Sequence, residues 1–279
     1  MVTPFAEGGE VDLPGSRKVA RYLLEHGSDA LVVVGTTGES PTLDDTEKLA
    51  VLRAVREEVG PDVQLIFGSG SNDTRHTVEL TAAGDESGAD AFLIVTPYYN
   101  RPNPAGIRAH FEAAAAATGK PIVVYNIPSR CVINIPPEGL ADLARIDNVG
   151  AVKQANDGEL QAIEGLDVLA GNDGTFLACL ERFGTGGILV ASHLVGPQMA
   201  AIRAAVGAGE LDRARELDAE LQPLYEMIGL TSNPIPVKTA LEMLGVCSAR
   251  MRLPLVPADA AQRTAIEQTL ARYELTAPA

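Results

Sequence analysis

One lysine in this chain stands at the end of an apolar strand. Of five lysines, only Lys153 ends an apolar run that we predict to be a strand, at positions 149–153. Desolvation at the end of a buried strand favours the neutral amine of a lysine. A neutral amine can form a Schiff base with a carbonyl substrate. A lysine that reaches solvent or pairs with a carboxylate is the alternative, and position alone leaves both interpretations open.

Two further reactive side chains follow a neighbouring apolar run. Tyr125 ends the run at 122–125, and a tyrosine in that place can move a proton. Arg130 follows five residues later and can bind a carboxylate through two hydrogen bonds. The alternatives are a tyrosine that closes the core and an arginine that is simply a surface charge.

Hydroxyl groups and glycines follow the run at 31–34. The segment 35–40 reads GTTGES, in which glycines allow close approach of backbone N–H groups, and the hydroxyls of Thr36 and Thr37 can bind a carboxylate or pass a proton. It is not a phosphate-binding P-loop, because no Gly-Lys-Ser/Thr follows. Adjacent Tyr98 and Tyr99 stand after another run, where they indicate an interface, a site, or both.

The elements that must position these residues recur along the chain. Short apolar runs return roughly every 25–35 residues, the length of a βα unit. We predict strands at 2–3, 31–34, 64–67, 91–95, 122–125, 149–153, 168–170 and 187–190, with helices between them, including 42–59, capped by Thr42, and 72–86.

Continuous apolar runs are typical of parallel strands buried on both faces. Eight such units predict an α/β protein with a (β/α)8 barrel, whose active site lies at the carboxyl ends of the strands. A doubly wound sheet is the alternative, but the Gly-rich phosphate turn usual after its first strand is missing. After residue 209 only helical patterns continue, at 210–228, 236–244 and 258–273. We therefore predict a catalytic barrel over 1–209 and a C-terminal helical region over 210–279.

The composition excludes several classes of function. The 279 residues carry a net charge of −15, which argues against nucleic acid or an anionic membrane as a partner. The three cysteines form no C-x-x-C pair, and the first residues do not form a signal peptide, which together favour a reduced, cytoplasmic protein. The four histidines lack metal-ligand spacing, so we expect no metal.

Five motifs together resemble one known family. They are GTTGES at 35–40, VTPYYNRP at 95–102, YNIPSR at 125–130, Val152-Lys153, and NPIPVK at 233–238. Their types and order resemble the dihydrodipicolinate synthase branch of the pyruvate-dependent class I aldolases, over residues 2 to about 273. The resemblance implies a homotetramer that joins pyruvate to L-aspartate-4-semialdehyde, with no cofactor other than the Schiff base itself.

The resemblance also implies a role for individual residues. Lys153 would form the Schiff base with pyruvate and Tyr125 would donate and accept protons. A proton relay would be completed by Thr36 and by Tyr99, the latter from the neighbouring subunit. The expected substrate-binding residues are Thr37 for the pyruvate carboxylate, Arg130 for the carboxylate of the semialdehyde, Ile188 and Gly171.

Two other functions stay open. One is a sibling aldolase with the same Schiff base and another aldehyde, such as one that yields a 2-keto-3-deoxy sugar acid. The other is a catalytically idle barrel that binds a ligand. Arg130 directly after Ser129 favours a short amino-acid aldehyde over a sugar, and the intact set of hydroxyls and lysine argues against an idle barrel.

Two departures from relatives carry expectations. His76 stands where lysine-sensitive members have a glutamate that pairs with the effector's amine, so we expect weak or absent inhibition by lysine. Relatives also have several residues before Val2. Either the natural start lies upstream, or the barrel closes with a shortened first strand.

Overall fold

The computed structural model describes residues 1–275. The strands of this part of the chain are β1 (Ala30–Val33), β2 (Gln64–Gly68), β3 (Ala91–Val95), β4 (Ile122–Asn126), β5 (Val149–Gln154), β6 (Asp167–Ala170) and β7 (Gly186–Gly187). Its α-helices are α1 (Leu13–Glu25), α2 (Asp45–Val59), α3 (Thr74–Glu86), α4 (Pro104–Ala115), α5 (Pro128–Cys131), α6 (Pro137–Leu143), α7 (Phe176–Arg182), α8 (Ser192–Gly207), α9 (Leu211–Ile228), α10 (Ile235–Met243) and α11 (Ala260–Arg272).

The chain divides into two compact units. The first unit combines Met1–Val63 with Val190–Ala279, and the second is the continuous segment Gln64–Leu189. The predicted boundary between residues 209 and 210 stays a prediction.

The second unit is built on the parallel strands β2 to β7, which pair in chain order. All five residues of β4 are buried, as expected of a strand covered on both faces. The largest core side chains include Phe67, Phe92 and Ile94, which are fully buried. The strands predicted at 64–67, 91–95, 122–125, 149–153 and 168–170 are confirmed to within a residue or so at each end.

The prediction of a strand at 187–190 was wrong beyond its first residue. Only Gly186 and Gly187 pair with β6, although the amide of Ile188 still donates to Ala170 O at 2.9 Å. Residues 188 and 189 belong to no strand, and the chain bends at Val190.

The first unit holds β1 together with α1, α2 and α8 to α11. The predicted strand at 2–3 was wrong, although both residues are buried. Pro4 has no N–H to donate to a ladder. The hydroxyl of Thr3 instead donates to Gly38 O at 2.7 Å, which ties this segment to the turn after β1.

Helix α2 begins later than predicted. Thr42 does not cap it, because Ser40–Thr42, with Pro41, forms a separate 3-10 turn. The cap is Asp44, whose carboxylate accepts from Glu47 N, while the Glu47 carboxylate accepts from Asp44 N. Such a reciprocal pair satisfies two amides at the helix start, and it displaces the start predicted from Thr42.

One histidine of the second unit is buried in its neutral form. His110 on α4 is 3% exposed, its Nδ1 lies 2.9 Å from the Thr74 hydroxyl, and its ring edge contacts Phe111. Burial lowers the pKa of His110 to about 4, and the nearby Asp73 carboxylate opposes the shift only partly. Protonation of this ring is therefore much easier in the unfolded chain.

We predict that His110 makes the protein sensitive to acid. Its folded pKa lies below its unfolded value, so the unfolded state gains a proton first as pH falls below about 6.5. Between pH 8 and pH 5 the histidine should remove about 2 kcal/mol of unfolding free energy. Urea unfolding at both pH values, with wild type and His110→Gln compared, measures this difference. Equal pH dependence in the two proteins would refute the prediction.

Candidate active site

Lys153 and Tyr125 meet on adjacent strands of the second unit. In the register of β4 and β5, Tyr125 stands opposite Lys153, one residue before the end of each strand. The Nζ atom of Lys153 lies 4.2 Å from the centroid of the Tyr125 ring. Both side chains are buried, at 8% and 5% exposure. A buried amine therefore contacts the face of a phenol ring, with no carboxylate between them.

The Tyr125 backbone is held from the other side by β3. Thr96 follows this strand, and both its amide and its hydroxyl donate to Tyr125 O at 3.0 Å. Because a carbonyl oxygen has two lone pairs, one threonine satisfies this oxygen completely. The position of the phenol is thus set by strand pairing on both sides of β4.

An amide cluster fixes the next residue of each strand. Asn126 and Gln154 are opposite each other in the register and almost fully buried. The side-chain amide of Asn126 donates to Gln154 Oε1, Asn134 Oδ1 and Ile135 O, at 3.0–3.1 Å, and its oxygen accepts from Ile135 N. Asn156 N also donates to Gln154 Oε1. This cluster joins β4, β5 and the loops after them directly behind Tyr125 and Lys153.

Two predicted substrate-binding residues lie beside the same strand ends. Gly171 follows β6, and its amide donates to Gln154 O at 2.8 Å. A Cβ atom at Gly171 would lie 2.7 Å from that oxygen, so only glycine allows this approach. Ile188 follows β7 and bonds to Ala170 of β6. The second unit therefore brings Gly171 and Ile188 to the sheet edge that carries Lys153.

Tyr99 and Arg130 are not packed against Lys153. Tyr99 is 88% exposed and has φ of +71°, a strained conformation for a tyrosine. Arg130 lies on the short helix α5 and is exposed. Both side chains are therefore directed towards the surface of the unit.

The predicted hydroxyl pair forms a turn in the first unit. Thr36 and Thr37 open a 3-10 turn, Thr36–Gly38, that follows β1 and is flanked by two residues of positive φ, Val34 and Glu39. The Thr37 hydroxyl accepts a hydrogen bond of 2.9 Å from Nδ2 of Asn233. Its orientation is therefore set by a residue that lies 196 positions later in the chain.

A buried ion pair lies next to this turn. Lys238 Nζ donates to Glu39 Oε1 at 2.6 Å, and the two side chains are 0% and 1% exposed. The second carboxylate oxygen accepts from Arg252 N at 3.2 Å, and the ammonium lies 4.3 Å from the Phe5 ring centroid. Burial lowers the pKa of Lys238, and the Glu39 carboxylate opposes this shift.

Sequence reasoning missed the residues that support the predicted site residues in each of the two units. Asn126 and Gln154 were overlooked although each directly follows a predicted catalytic residue. Lys238 was placed at a helix start, with no role in the site, although a single charge within the apolar stretch 234–241 is a signal for a buried ion. Its partner Glu39 stood within the GTTGES motif itself.

Residues 1–275 contain neither a candidate metal site nor a candidate membrane-spanning helix. In this part of the chain, no group of three His, Cys, Asp or Glu side chains is arranged to hold a metal ion. None of the described helices is long and apolar enough to cross a membrane.

Comparison with known proteins decides the family. A sequence profile of the dihydrodipicolinate synthetase family matches residues 1–273. The chain belongs to this family. It is 44% identical over 278 residues to the 4-hydroxy-tetrahydrodipicolinate synthase of Moorella thermoacetica, covering 97% of this chain and 95% of that protein. The resemblance inferred from the five motifs is confirmed.

Solved structures confirm the fold. A dihydrodipicolinate synthase from Cyanidioschyzon merolae with lysine bound is 36% identical with a TM-score of 0.95, covering 99% of this chain and 96% of that one. A monomeric dihydrodipicolinate synthase variant is 36% identical with a TM-score of 0.94, covering 99% and 95%. The predicted fold class, a (β/α)8 barrel with C-terminal helices, is therefore confirmed.

We predict that Asn126 is essential for the stability of the second unit. Asn126→Ala removes four hydrogen bonds and leaves buried groups of Gln154 and Ile135 without this partner. The free energy of unfolding should fall by about 3 kcal/mol. Asn100→Ala, which loses one exposed bond to Asn72 O, is the control and should change it by less than about 0.5 kcal/mol. Chemical denaturation measures both, and equal losses would contradict the prediction.

Proposed function

We propose that this chain is a lyase that condenses pyruvate with L-aspartate-4-semialdehyde to give 4-hydroxy-tetrahydrodipicolinate, in the biosynthesis of diaminopimelate and lysine. The observation that carries the proposal is the Lys153 amine on the Tyr125 ring at adjacent strand ends, in a chain of the dihydrodipicolinate synthetase family. Relatives that match nearly the whole chain are named 4-hydroxy-tetrahydrodipicolinate synthase. The location that we propose for the enzyme is the cytoplasm.

Schiff-base formation is the first step of the mechanism. The neutral amine of Lys153 attacks the keto carbon of pyruvate, and the carbonyl oxygen leaves as water after two proton transfers. Tyr125 is the group placed to carry these protons, because its ring lies against the amine. The protonated imine withdraws electrons, so the pyruvate methyl group can lose a proton and form an enamine.

Carbon–carbon bond formation is the second step. The enamine attacks the aldehyde carbon of the semialdehyde, and the aldehyde oxygen takes up a proton. The semialdehyde's own amine can then attack the imine carbon, which closes the ring and frees Lys153. No step needs a metal ion or a separate cofactor, since the lysine imine supplies the electron sink.

The remaining predicted residues serve binding and proton transfer. Thr37 binds the pyruvate carboxylate, and Gly171 and Ile188 line the pyruvate-binding site. Arg130 holds the semialdehyde carboxylate by paired hydrogen bonds. Thr36 of the same chain, together with Tyr99 from the neighbouring subunit, completes the proton relay from Tyr125.

The assembly proposed is a homotetramer. It is supported by the exposure of Tyr99 at 88% and of Val132 at 66%, since large apolar and aromatic side chains so exposed are typical of an interface.

We predict a tetramer in sedimentation velocity. Tyr99→Phe should keep the assembly and lower kcat about tenfold or more, because only the hydroxyl is lost. Full activity of a monomer would contradict this role for Tyr99.

We predict that Lys153→Ala loses both turnover and the covalent adduct. Borohydride reduces the imine, so wild type incubated with pyruvate and borohydride should gain the mass of a reduced pyruvyl group on Lys153. The variant should gain none, and condensation followed through a coupled reductase should stop. Lys18→Ala, at an exposed position of α1, is the control and should behave as wild type. An adduct on another lysine would overturn the assignment.

We predict that Arg130→Ala separates the two substrates. The KM for the semialdehyde should rise about 10- to 100-fold, as expected for loss of a charged hydrogen-bond pair, while borohydride trapping of pyruvate stays unchanged. Arg145→Ala, at an exposed position, is the control. A wild-type enzyme that traps pyruvate but does not use the semialdehyde would instead indicate a sibling aldolase with another aldehyde.

Inhibition by lysine is expected to be weak or absent. His76 supplies no carboxylate that could pair with the amine of a bound lysine. The lysine-bound structure from Cyanidioschyzon merolae is that of a relative and does not describe this chain. Assays with millimolar lysine test this, and strong inhibition would contradict it.

A further inference from the structure

Asn233 is the polar residue in contact with the Thr37 hydroxyl. Its Nδ2 atom lies 2.9 Å from Thr37 Oγ1 and donates to it. Asn233 comes from the segment before α10, within the NPIPVK motif at 233–238. Thr37 and Asn233 both lie in the first unit and are half-buried.

The direction of this hydrogen bond decides what the hydroxyl can do. A threonine hydroxyl has one proton to donate and two lone pairs that accept. Because the Asn233 amide occupies a lone pair of Oγ1, the hydroxyl proton must point away from Asn233. The hydroxyl is then set as a donor, and a donor is what a carboxylate group binds.

The two chain segments that meet here are joined a second time. Two residues after Thr37, Glu39 pairs with Lys238, which lies five residues after Asn233. Lys238 N also donates to Pro234 O at the start of α10, so the ion pair anchors the helix end next to Asn233. With the pair almost fully buried and Arg252 N on its second oxygen, the spacing of Asn233 and Thr37 is rigidly set.

We propose that Asn233 is a positioning residue that orients the Thr37 hydroxyl as the donor to the pyruvate carboxylate, with the Glu39–Lys238 pair holding the two segments in register. This inference rests on the proposed function, because it takes Thr37 as the group that binds that carboxylate. Asn233 touches Thr37 and acts through it.

A double-mutant cycle between the two residues tests the proposal. Thr37→Val removes the hydroxyl but keeps the shape of the side chain, and it should raise the KM for pyruvate about tenfold. Asn233→Ala leaves the hydroxyl free to rotate and should raise this KM about fivefold, with kcat at saturating pyruvate near wild type. In the double variant the KM should be no higher than in Thr37→Val alone, because Asn233 then has no hydroxyl to orient.

Asn233→Asp is the sharper single variant. Aspartate has nearly the same shape, but its carboxylate cannot donate a hydrogen bond. It therefore accepts a hydrogen bond from the Thr37 hydroxyl and brings a negative charge towards the substrate's carboxylate. The KM for pyruvate should rise more than in Asn233→Ala. Ser232→Ala, an exposed neighbour on the same segment, is the matched control and should leave the KM and the thermal midpoint unchanged.

The outcomes separate this inference from the proposed function. If wild type traps no pyruvate with borohydride, the proposed function fails and the inference fails with it. If wild type traps pyruvate but the effects of Thr37→Val and Asn233→Ala multiply, Asn233 does not act through Thr37 and the inference alone is overturned. Loss of kcat and thermal stability in Asn233→Ala, with the KM for pyruvate unchanged, would overturn it as well.

Discussion

The pairing of β4 with β5 is the constraint on which the Lys153–Tyr125 contact depends. Successive side chains of a strand point to opposite faces, so a slip of one residue would place Asn126 or Val124 opposite Lys153 and turn the phenol away. The bonds between Asn126, Gln154 and the following loops hold this register at its last pair. A buried amide cluster of this kind tolerates no shift, because each unmade bond costs about 1–3 kcal/mol. The reactive contact is thus specified by polar groups on the far side of the strands.

In the first unit the equivalent role belongs to a pair of full charges. Burial of Glu39 and Lys238 away from water is costly, and the attraction between them offsets that cost only because both carboxylate oxygens have donors. An apolar pair of the same volume would stabilise the unit as well or better. An apolar pair would not fix the orientation of the two segments that carry Thr37 and Asn233, and the hydroxyl of Thr37 requires a fixed orientation. The fold therefore uses charge and amide groups where an orientation must be set, and apolar residues such as Phe67 and Phe92 where only volume must be filled.

Much of the fold followed from local pattern, and the errors have local causes. The apolar runs located the buried strands β2 to β6 because parallel strands leave a continuous signal. The pattern at 2–3 and 187–190 was equally apolar, but Pro4 has no N–H to donate, and pairing with β6 ends at Gly187, before the bend at Val190. Within the site, Lys153 and Tyr125 were predictable because strand ends converge in this fold. Asn233 and Lys238 were not, since a contact across almost 200 residues leaves no trace in spacing along the chain. Only the isolated charge of Lys238 in an apolar stretch indicated burial.

The separation of Glu39 from Lys238 also has a consequence during protein synthesis. The two residues are 199 positions apart. At about 5–20 residues per second, a ribosome delivers the lysine about 10–40 s after the glutamate. During that interval the carboxylate must stay hydrated, so the turn after β1 cannot close in its final form. The continuous segment Gln64–Leu189 is complete before Lys238 is made. The nascent chain thus finishes its second unit first, and the Thr36–Thr37 turn takes its final form only when the last quarter of the protein has emerged.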